Sequence, residues 1–436
     1  MKWSAHLYLS SSNDGLMKRL EPTREDVTFL EKLKTTIRAR TKDVFEEAKD
    51  VIKMLIKTPN NSINMLFVEN AVQNTFLRYL DPEDIQQVAK LLFNMSDDAR
   101  KAFLSTEPRF WVQGSYNYKT LNKPYHLPPQ QMDIDDGTYM PMEMFKEQPL
   151  VGHRLLLLLV DASLASLAKE NVGWIASKLP NCGRIIVKEK DVHVDVPMYA
   201  IPKEQFVARE VAASRITMDS MDAITANESY RSKSAKVQLE EDCVYLAVRG
   251  NDKWIKSDPE TVARWFRKAV SRHKEPMRQI CRYLKAWRDV QWEHPDLSSI
   301  ALMKCVVDTF NNIEMPNSLD HSELLLTVTE RLPAQLTEGV KSPDTSDDGR
   351  LLFPKANMDK AAINKIISKA EELHSTLNTA LKDSPTKKQT LQLLNELFGD
   401  GVLNEEIIKP WASMPAYQQP RQPQPQNQMK DSMTSG

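Results

Sequence analysis

The chain has 436 residues, 58 of them basic and 59 acidic, for a formal net charge of -1. Hydrophobic content of 41% and charged content of 27% are those of a globular protein long enough for two domains. A protein that tracks a long nucleic acid carries a clear cationic excess, so the even charge balance disfavours a polymer substrate, and no nucleic-acid polymer is expected as a partner.

Taken in order, residues 24–58 predict a helix. Leu30, Leu33 and Ile37, then Val44, Ala48, Val51, Ile52 and Leu55 recur at helical spacing, and Pro59 with Asn60 and Asn61 ends the run. Its other face carries Lys32, Lys34, Arg38, Arg40 and Lys42, which reads as a solvated face or as an anion-binding surface. Further helices are expected near 62–78, after Asp81-Pro82-Glu83, and from Asp97 to Leu104. The texture then changes. Arg109-Phe110-Trp111-Val112-Gln113 is strand-like and runs into Gly114-Ser115, and Met132 to Asp136 forms a second strand. A helix spans Val151 to Asn171, strands 183–187 and 192–196 form an antiparallel pair, and 199–202 continues the second of them. Helices return at 258–273, 276–292, 298–313, 357–382 and 386–398.

Cys182, Cys243, Cys281 and Cys305 show no Cys-x-x-Cys spacing, which suits reduced thiols rather than a disulfide framework or a zinc site. The first twenty residues lack the apolar core of a signal peptide. The richest apolar run, 155–160, stops at Asp161 and falls far short of a membrane span. The expectation is a cytoplasmic protein with no membrane partner.

Asp133 and Asp135 are two apart, so a strand aims both carboxylates to one face. Asp195 lies in another strand with His193 on the same face. Converging carboxylates repel unless a cation sits among them, and Mg²⁺ takes oxygen ligands while leaving positions for phosphate. Two such ions can activate an attacking hydroxyl and steady a leaving pyrophosphate. Gly114 allows a backbone to approach a phosphate, and Ser115 adds a hydroxyl. An Asp-x-Asp alone is ordinarily a surface turn; Gly-Ser, then Asp-x-Asp, then a third strand Asp is far more specific, and it matches the polymerase-β-like nucleotidyltransferase superfamily.

Longer phrases carry a closer match. Arg109-Phe110-Trp111-x-Gln113-Gly114-Ser115, Asp133-Ile134-Asp135-Asp136-Gly137-Thr138-Tyr139-Met140-Pro141, Asp195-Val196-Pro197-Met198-Tyr199-Ala200-Ile201-Pro202 and Lys285-Ala286-Trp287-Arg288-Asp289 resemble the bacterial cGAS/DncV-like nucleotidyltransferases. The resemblance runs from Asn13 to about residue 410 and weakens in 203–245 and in the tail.

That resemblance implies an α+β fold, with a polymerase-β-like core and long N-terminal helices in 1–245, a helical C-terminal lobe in 246–411, and a disordered tail in 412–436. It implies condensation of ATP and GTP into 3′,3′-cyclic GMP-AMP, a messenger that switches on a downstream effector in anti-phage (CBASS) defence. Asp133, Asp135 and Asp195 would hold two Mg²⁺ ions, with Asp195 favouring deprotonation of the attacking hydroxyl. Gln113, Gly114, Ser115 and Tyr118 match the acceptor-nucleotide segment. Arg184, Ser257, Lys285, Ser299 and Asp347 match contacts to nucleotide phosphate, sugar or base. Each admits a plainer role: Arg184 pairing with a carboxylate, Ser257 and Ser299 serving helix starts, Lys285 lying exposed, His193 being a neighbour of the site.

Two regulatory expectations follow from the same resemblance. In the family, basic residues on the long helix and the Arg-Phe-Trp segment form a pocket for folate-like molecules. Here Arg38, Arg109 and Trp111 are kept, but Lys34 and Lys42 stand where arginines are matched, and lysine cannot make arginine's bidentate carboxylate contact. Many operons of this family also encode ubiquitin-transfer-like enzymes that join the cyclase C-terminus to a target, which a tail ending in Gly436 would suit; a solubilising tail is the alternative. Rival functions are a different cyclic di- or trinucleotide, a template-free linear oligoadenylate, and a non-catalytic nucleotide sensor.

Overall fold

A threonine starts the long helix. In the computed structural model, Thr23 Oγ1 accepts from the Asp26 amide (3.1 Å) and Asp26 Oδ2 accepts from the Thr23 amide (2.8 Å), a reciprocal capping box. Residues 1–59, 63–142, 149–206, 209, 243–250, 253–314, 320–344 and 349–411 are described. The expected tail 412–436 with Gly436, and Asp347, lie outside the described residues.

In chain order the elements are β1 (Trp3–Ser4), α1 (His6–Ser10), α2 (Leu16–Leu20), α3 (Arg24–Lys57), α4 (Met65–Gln73), α5 (Pro82–Phe93), α6 (Asp97–Leu104), β2 (Arg109–Gln113), α7 (Gly114–Asn117), β3 (Met132–Pro141) and α8 (Pro149–Glu170). Then come β4 (Trp174–Lys178), β5 (Gly183–Val187), β6 (Val192–Val196), β7 (Met198–Ile201), β8 (Tyr245–Val248), β9 (Lys253–Lys256), α9 (Pro259–Gln291) and α10 (Ser299–Asn311). They are followed by α11 (His321–Glu338), β10 (Val340–Lys341), β11 (Leu351–Phe353), α12 (Lys360–Asn378), α13 (Lys387–Phe398) and β12 (Lys409–Pro410).

The chain folds as two units. The larger, Arg19–Lys304 with Gly339–Met358, holds an eight-stranded mixed sheet ordered β4-β5-β6-β3-β7-β8-β9, with β2 also paired to β3. β3 is its pivot: it runs parallel to β6 through its first half and to β7 through its second, while β2 pairs antiparallel along it. Met132, Ile134 and Met140 of β3 join the main core, together with the buried stripe of α3 and the apolar run Leu155 to Val160 of α8. α8 packs against α3, where Thr41 and Ser163 exchange a hydroxyl contact at 3.0 Å.

The smaller unit comprises Met1–Lys18, Cys305–Glu338 and the chain from Asp359 on. Its short ladder pairs β1 with β12, and Asp320 gathers the Ser4 hydroxyl (2.5 Å), the Ser322 amide (2.8 Å) and the Ser322 hydroxyl.

Several expectations change. β3 extends five residues past Asp136, to Pro141. Residues 198–201 continue the line of β6 as expected: β7 pairs with the second half of β3 in the same parallel register, with a break only at Pro197. β4 and α11 carried no clear sequence pattern, and α11 runs through Pro333. The two helices expected within α9 are present, parted by the non-helical Lys274, whose φ is +65°. Asp81 precedes α5 without capping it, because Lys178 takes its carboxylate at 2.8 Å.

Candidate active site

β3 alternates, and the alternation sorts the chemistry. Asp133, Asp135, Gly137 and Tyr139 face one side, while Ile134, Asp136 and Thr138 face the core. In the parallel ladder Asp135 is opposite Asp195, and Asp133 is opposite His193. The predicted carboxylates therefore share one surface of the sheet.

Gly114 sits against them. Its φ is +63°, and a Cβ added there would lie 2.0 Å from Asp135 Oδ2, so both the backbone and the space demand glycine. The following turn, α7, places the Ser115 hydroxyl 3.4 Å from Asp133 Oδ1. Burial, together with the charges of Asp133 and Asp195, pushes the Asp135 carboxyl up to about 8. That excess of negative charge on an oxygen-only donor set fits a hard divalent cation at Asp133 and Asp135.

Asp195 is held differently. Arg184, its antiparallel partner on β5, donates from Nε at 2.6 Å and from Nη2 at 2.7 Å to the two carboxylate oxygens. The hydrogen bond to Asp195 holds the guanidinium above its usual value. Among the described residues no three His, Cys, Asp or Glu side chains are grouped closely enough to hold a metal ion. Each Asp195 oxygen accepts one N–H from Arg184 and keeps a further lone pair. The carboxylate that Arg184 meets is thus a residue of the site itself. His193 is a neighbour: its Nδ1 lies 3.1 Å from Gln131 Oε1, and burial lowers its pKa.

Lys285 is not the exposed lysine of the plainer reading. It is buried in α9, and Nζ donates to the Thr120 carbonyl at 2.7 Å in the loop after α7. Burial pushes its ammonium down to about 8, against the pull of Asp133. Tyr118 packs against Phe266 of α9, ring centroids 5.6 Å apart, and its amide donates to the Gly114 carbonyl at 3.0 Å. The Gln113 side chain does not extend toward a ligand: it is buried and bonded to Tyr139 and Tyr199.

Ser257 precedes Asp258, and it is Asp258 that caps α9, accepting from the Glu260 amide at 2.9 Å; the Ser257 amide donates to the Val244 carbonyl. At α10 the cap is Ser298, which accepts from the Ala301 amide at 3.3 Å. Ser299 instead accepts from Arg288 Nη1 at 2.8 Å.

The basic residues of the expected regulatory pocket divide. Arg38 lies on the core side of β3, bonded in bidentate fashion to Asp136 at 2.7 and 2.5 Å, with its guanidinium 5.6 Å from the Phe110 ring. Lys34 pairs with Glu31 at 2.6 Å, Arg109 with Glu107 at 2.8 Å, and Lys42 is exposed. Trp111 is on the aspartate side, edge-on to Tyr139 at 4.5 Å. The structure does not bring Arg38 and Trp111 together on one face.

Sequence reasoning missed three supports of the site. Asp136 is one, although strand alternation alone aims it away from Asp133 and Asp135. Glu31 accepts from the Tyr116 hydroxyl in α7, tying the turn to α3. The Tyr139–Tyr199 pair showed no signal, since it depends on the register of β7 against β3.

A mixed sheet that presents paired aspartates beside a Gly-Ser turn defines a nucleotidyltransferase. Two family models match the chain: the cyclic GMP-AMP synthase DncV-like nucleotidyltransferase domain over residues 108–199, and the cyclic GMP-AMP synthase C-terminal domain over residues 274–410. A cyclic GMP-AMP synthase of Vibrio cholerae serotype O1 is 40% identical over 441 residues, covering 100% of both chains, and one of Escherichia coli is 39% identical over 96% of this chain and 95% of its own. The solved Vibrio cholerae DncV in complex with the linear intermediate 5′ pppA(3′,5′)pG has a TM-score of 0.81 at 40% identity, covering 94% of this chain and 99% of that one. The apo form of DncV gives 0.80 at 38% identity, covering 94% and 98%. The chain belongs to the DncV-like family of cyclic GMP-AMP synthase nucleotidyltransferases.

Proposed function

We propose that this chain condenses ATP and GTP into 3′,3′-cyclic GMP-AMP. The observation that carries the reading is the face of β3 and β6 shared by Asp133, Asp135 and Asp195, with Asp135 in register with Asp195, beside the Gly114-Ser115 turn. The relatives named as cyclic GMP-AMP synthases along the whole chain, and the linear intermediate seen in DncV, support it.

An intermediate of the form pppA(3′,5′)pG sets the order of events. The ATP 3′-hydroxyl attacks the α-phosphorus of GTP, the new P–O bond forms, and pyrophosphate leaves. After the dinucleotide turns, the guanosine 3′-hydroxyl attacks the remaining α-phosphorus and a second pyrophosphate leaves. Two Mg²⁺ ions held by Asp133, Asp135 and Asp195 would supply charge neutralisation of the phosphates and acidity to the attacking hydroxyl. The chain's own groups position the reactants. Ser115 and the α7 turn orient the acceptor triphosphate, and Lys285 fixes the Thr120 loop behind it. Arg184 passes from Asp195 to incoming phosphate, which frees a carboxylate oxygen to accept the hydroxyl proton.

Near-neutral charge favours small nucleotides over a linear oligoadenylate product. No helix among the described residues is long and apolar enough to cross a membrane. The product would act on a downstream effector in anti-phage defence, and the C-terminus at Gly436 would be the substrate of a ubiquitin-transfer-like enzyme. Incubation with all pairs of ATP, GTP, CTP and UTP, with products resolved by chromatography and mass, tests the reading. The expected main product is the ATP–GTP ring; a ring of other bases, or only linear products, would overturn it.

A further inference from the structure

Gln113 is the last residue of β2, and its backbone leads directly into Gly114. In the antiparallel ladder it stands opposite Asp135. Its side chain runs diagonally across Gly137 to two tyrosines: Nε2 donates to the Tyr139 hydroxyl at 2.6 Å, and the Tyr199 hydroxyl donates to Oε1 at 3.2 Å. The two rings are themselves stacked, centroids 4.7 Å apart, because Tyr139 and Tyr199 are register partners in the parallel β3–β7 ladder. All three side chains are more than nine-tenths buried.

Gly137 is what allows the crossing. A Cβ there would lie 2.3 Å from Gln113 Nε2, 2.8 Å from Tyr139 Cε2 and 3.2 Å from Tyr199 Cε2. The glycine is a groove in the strand that the glutamine occupies. A buried amide with both ends bonded is fixed in one orientation, since releasing either end leaves a buried polar group unpaired. One residue, Gly114, then separates this fixed residue from Ser115.

We propose that Gln113, Tyr139 and Tyr199 form a clamp that positions the Gly114-Ser115 turn against Asp135. The proposal rests on the nucleotidyl-transfer reading for its catalytic consequence, not for its structure. The three are positioning residues: Gln113 acts through the turn, and the tyrosines act through Gln113. Gln113, matched to the acceptor-binding segment, would then serve the acceptor nucleotide through its backbone position alone.

The test compares wild type with Gln113→Leu, Tyr139→Phe/Tyr199→Phe and the triple variant of the full chain. Hydrogen–deuterium exchange at residues 114–118 is expected to speed up by about tenfold or more in each variant, with 192–196 unchanged. Turnover of ATP with GTP is expected to fall about tenfold or more, with KM for each nucleotide within about twofold. The triple variant should lose no more than either parent, because all three break one device. Exchange at 114–118 within twofold of wild type would overturn the clamp whether or not the protein is active. Losses in turnover that multiply in the triple variant would overturn it too. A wild type that makes no phosphodiester, with the exchange change still seen in the variants, would keep the clamp and sink the nucleotidyl-transfer reading.

Discussion

Replacing Arg38 by alanine probes how the catalytic strand is supported from behind. Asp136 is only 1% exposed, and its two carboxylate oxygens accept from Arg38 Nε and Nη2 at 2.7 and 2.5 Å. Burial pushes the Asp136 carboxyl up, and Arg38 opposes that shift. Removing one partner of such a pair leaves a charge in the core, at a cost of about 3–5 kcal/mol. Part of that cost disappears if Asp136 takes a proton. With its folded-state pKa raised further above the unfolded value, the penalty is full at neutral pH and shrinks as pH falls toward the unfolded carboxyl range. Asp136→Asn in the Arg38→Ala background removes the charge altogether and should recover about half the loss or more. Asp136 is the residue after Asp135, so the single variant should also lose turnover while the double variant regains some. Denaturant unfolding at pH 7 and pH 5, with a double-mutant cycle, measures each quantity. A loss under about 1 kcal/mol for Arg38→Ala, or no recovery on adding Asp136→Asn, would refute the assignment.

Three further outcomes follow from the geometry. Gly114→Ala should lower turnover by about 10² while costing about 1–2 kcal/mol of left-handed strain, read by steady-state kinetics and thermal melting, because its Cβ would displace the Asp135 oxygen 2.0 Å away. Lys285→Met should cut turnover about tenfold or more without loss of stability by urea titration, since burial already penalises the charged amine. His321, whose amide donates to His6 Nδ1 at 3.1 Å, is pushed by burial, and then by His6, down to about 4, against the pull of Asp320. With the folded-state pKa lowered, the unfolded chain gains a proton first, so stability is lost as pH falls from about 6.5 to about 4, amounting to about 3 kcal/mol. Unfolding curves of wild type and His321→Asn across that range should converge toward low pH.

Local signals were legible where one strand or helix decides the outcome. Asp133 and Asp135 needed only the two-residue period of a strand, and the stripe of α3 needed only helical spacing, whereas its Thr23 capping box was not read. What the sequence did not disclose depends on pairings between distant segments. The core-side position of Asp136 follows from parity, but its partner Arg38 lies 98 residues away. The plainer reading of Lys285 as exposed failed for the same reason, since it looks exposed until the Thr120 loop is laid against it, while the carboxylate that pairs with Arg184 could be named only once β5 and β6 were paired. The Gln113 side chain could be assigned only once β7 was known to run beside the second half of β3.

The most direct measurement sets wild type beside Asp133→Ala/Asp135→Ala, with labelled ATP, GTP and Mg²⁺, and resolves products after matched times. Wild type is expected to convert the pair into cyclic GMP-AMP with release of two pyrophosphates per ring, and the variant to form neither linear nor cyclic product. Cyclic product persisting in the variant would contradict the assignment of the carboxylate face of β3 as the site of nucleotidyl transfer.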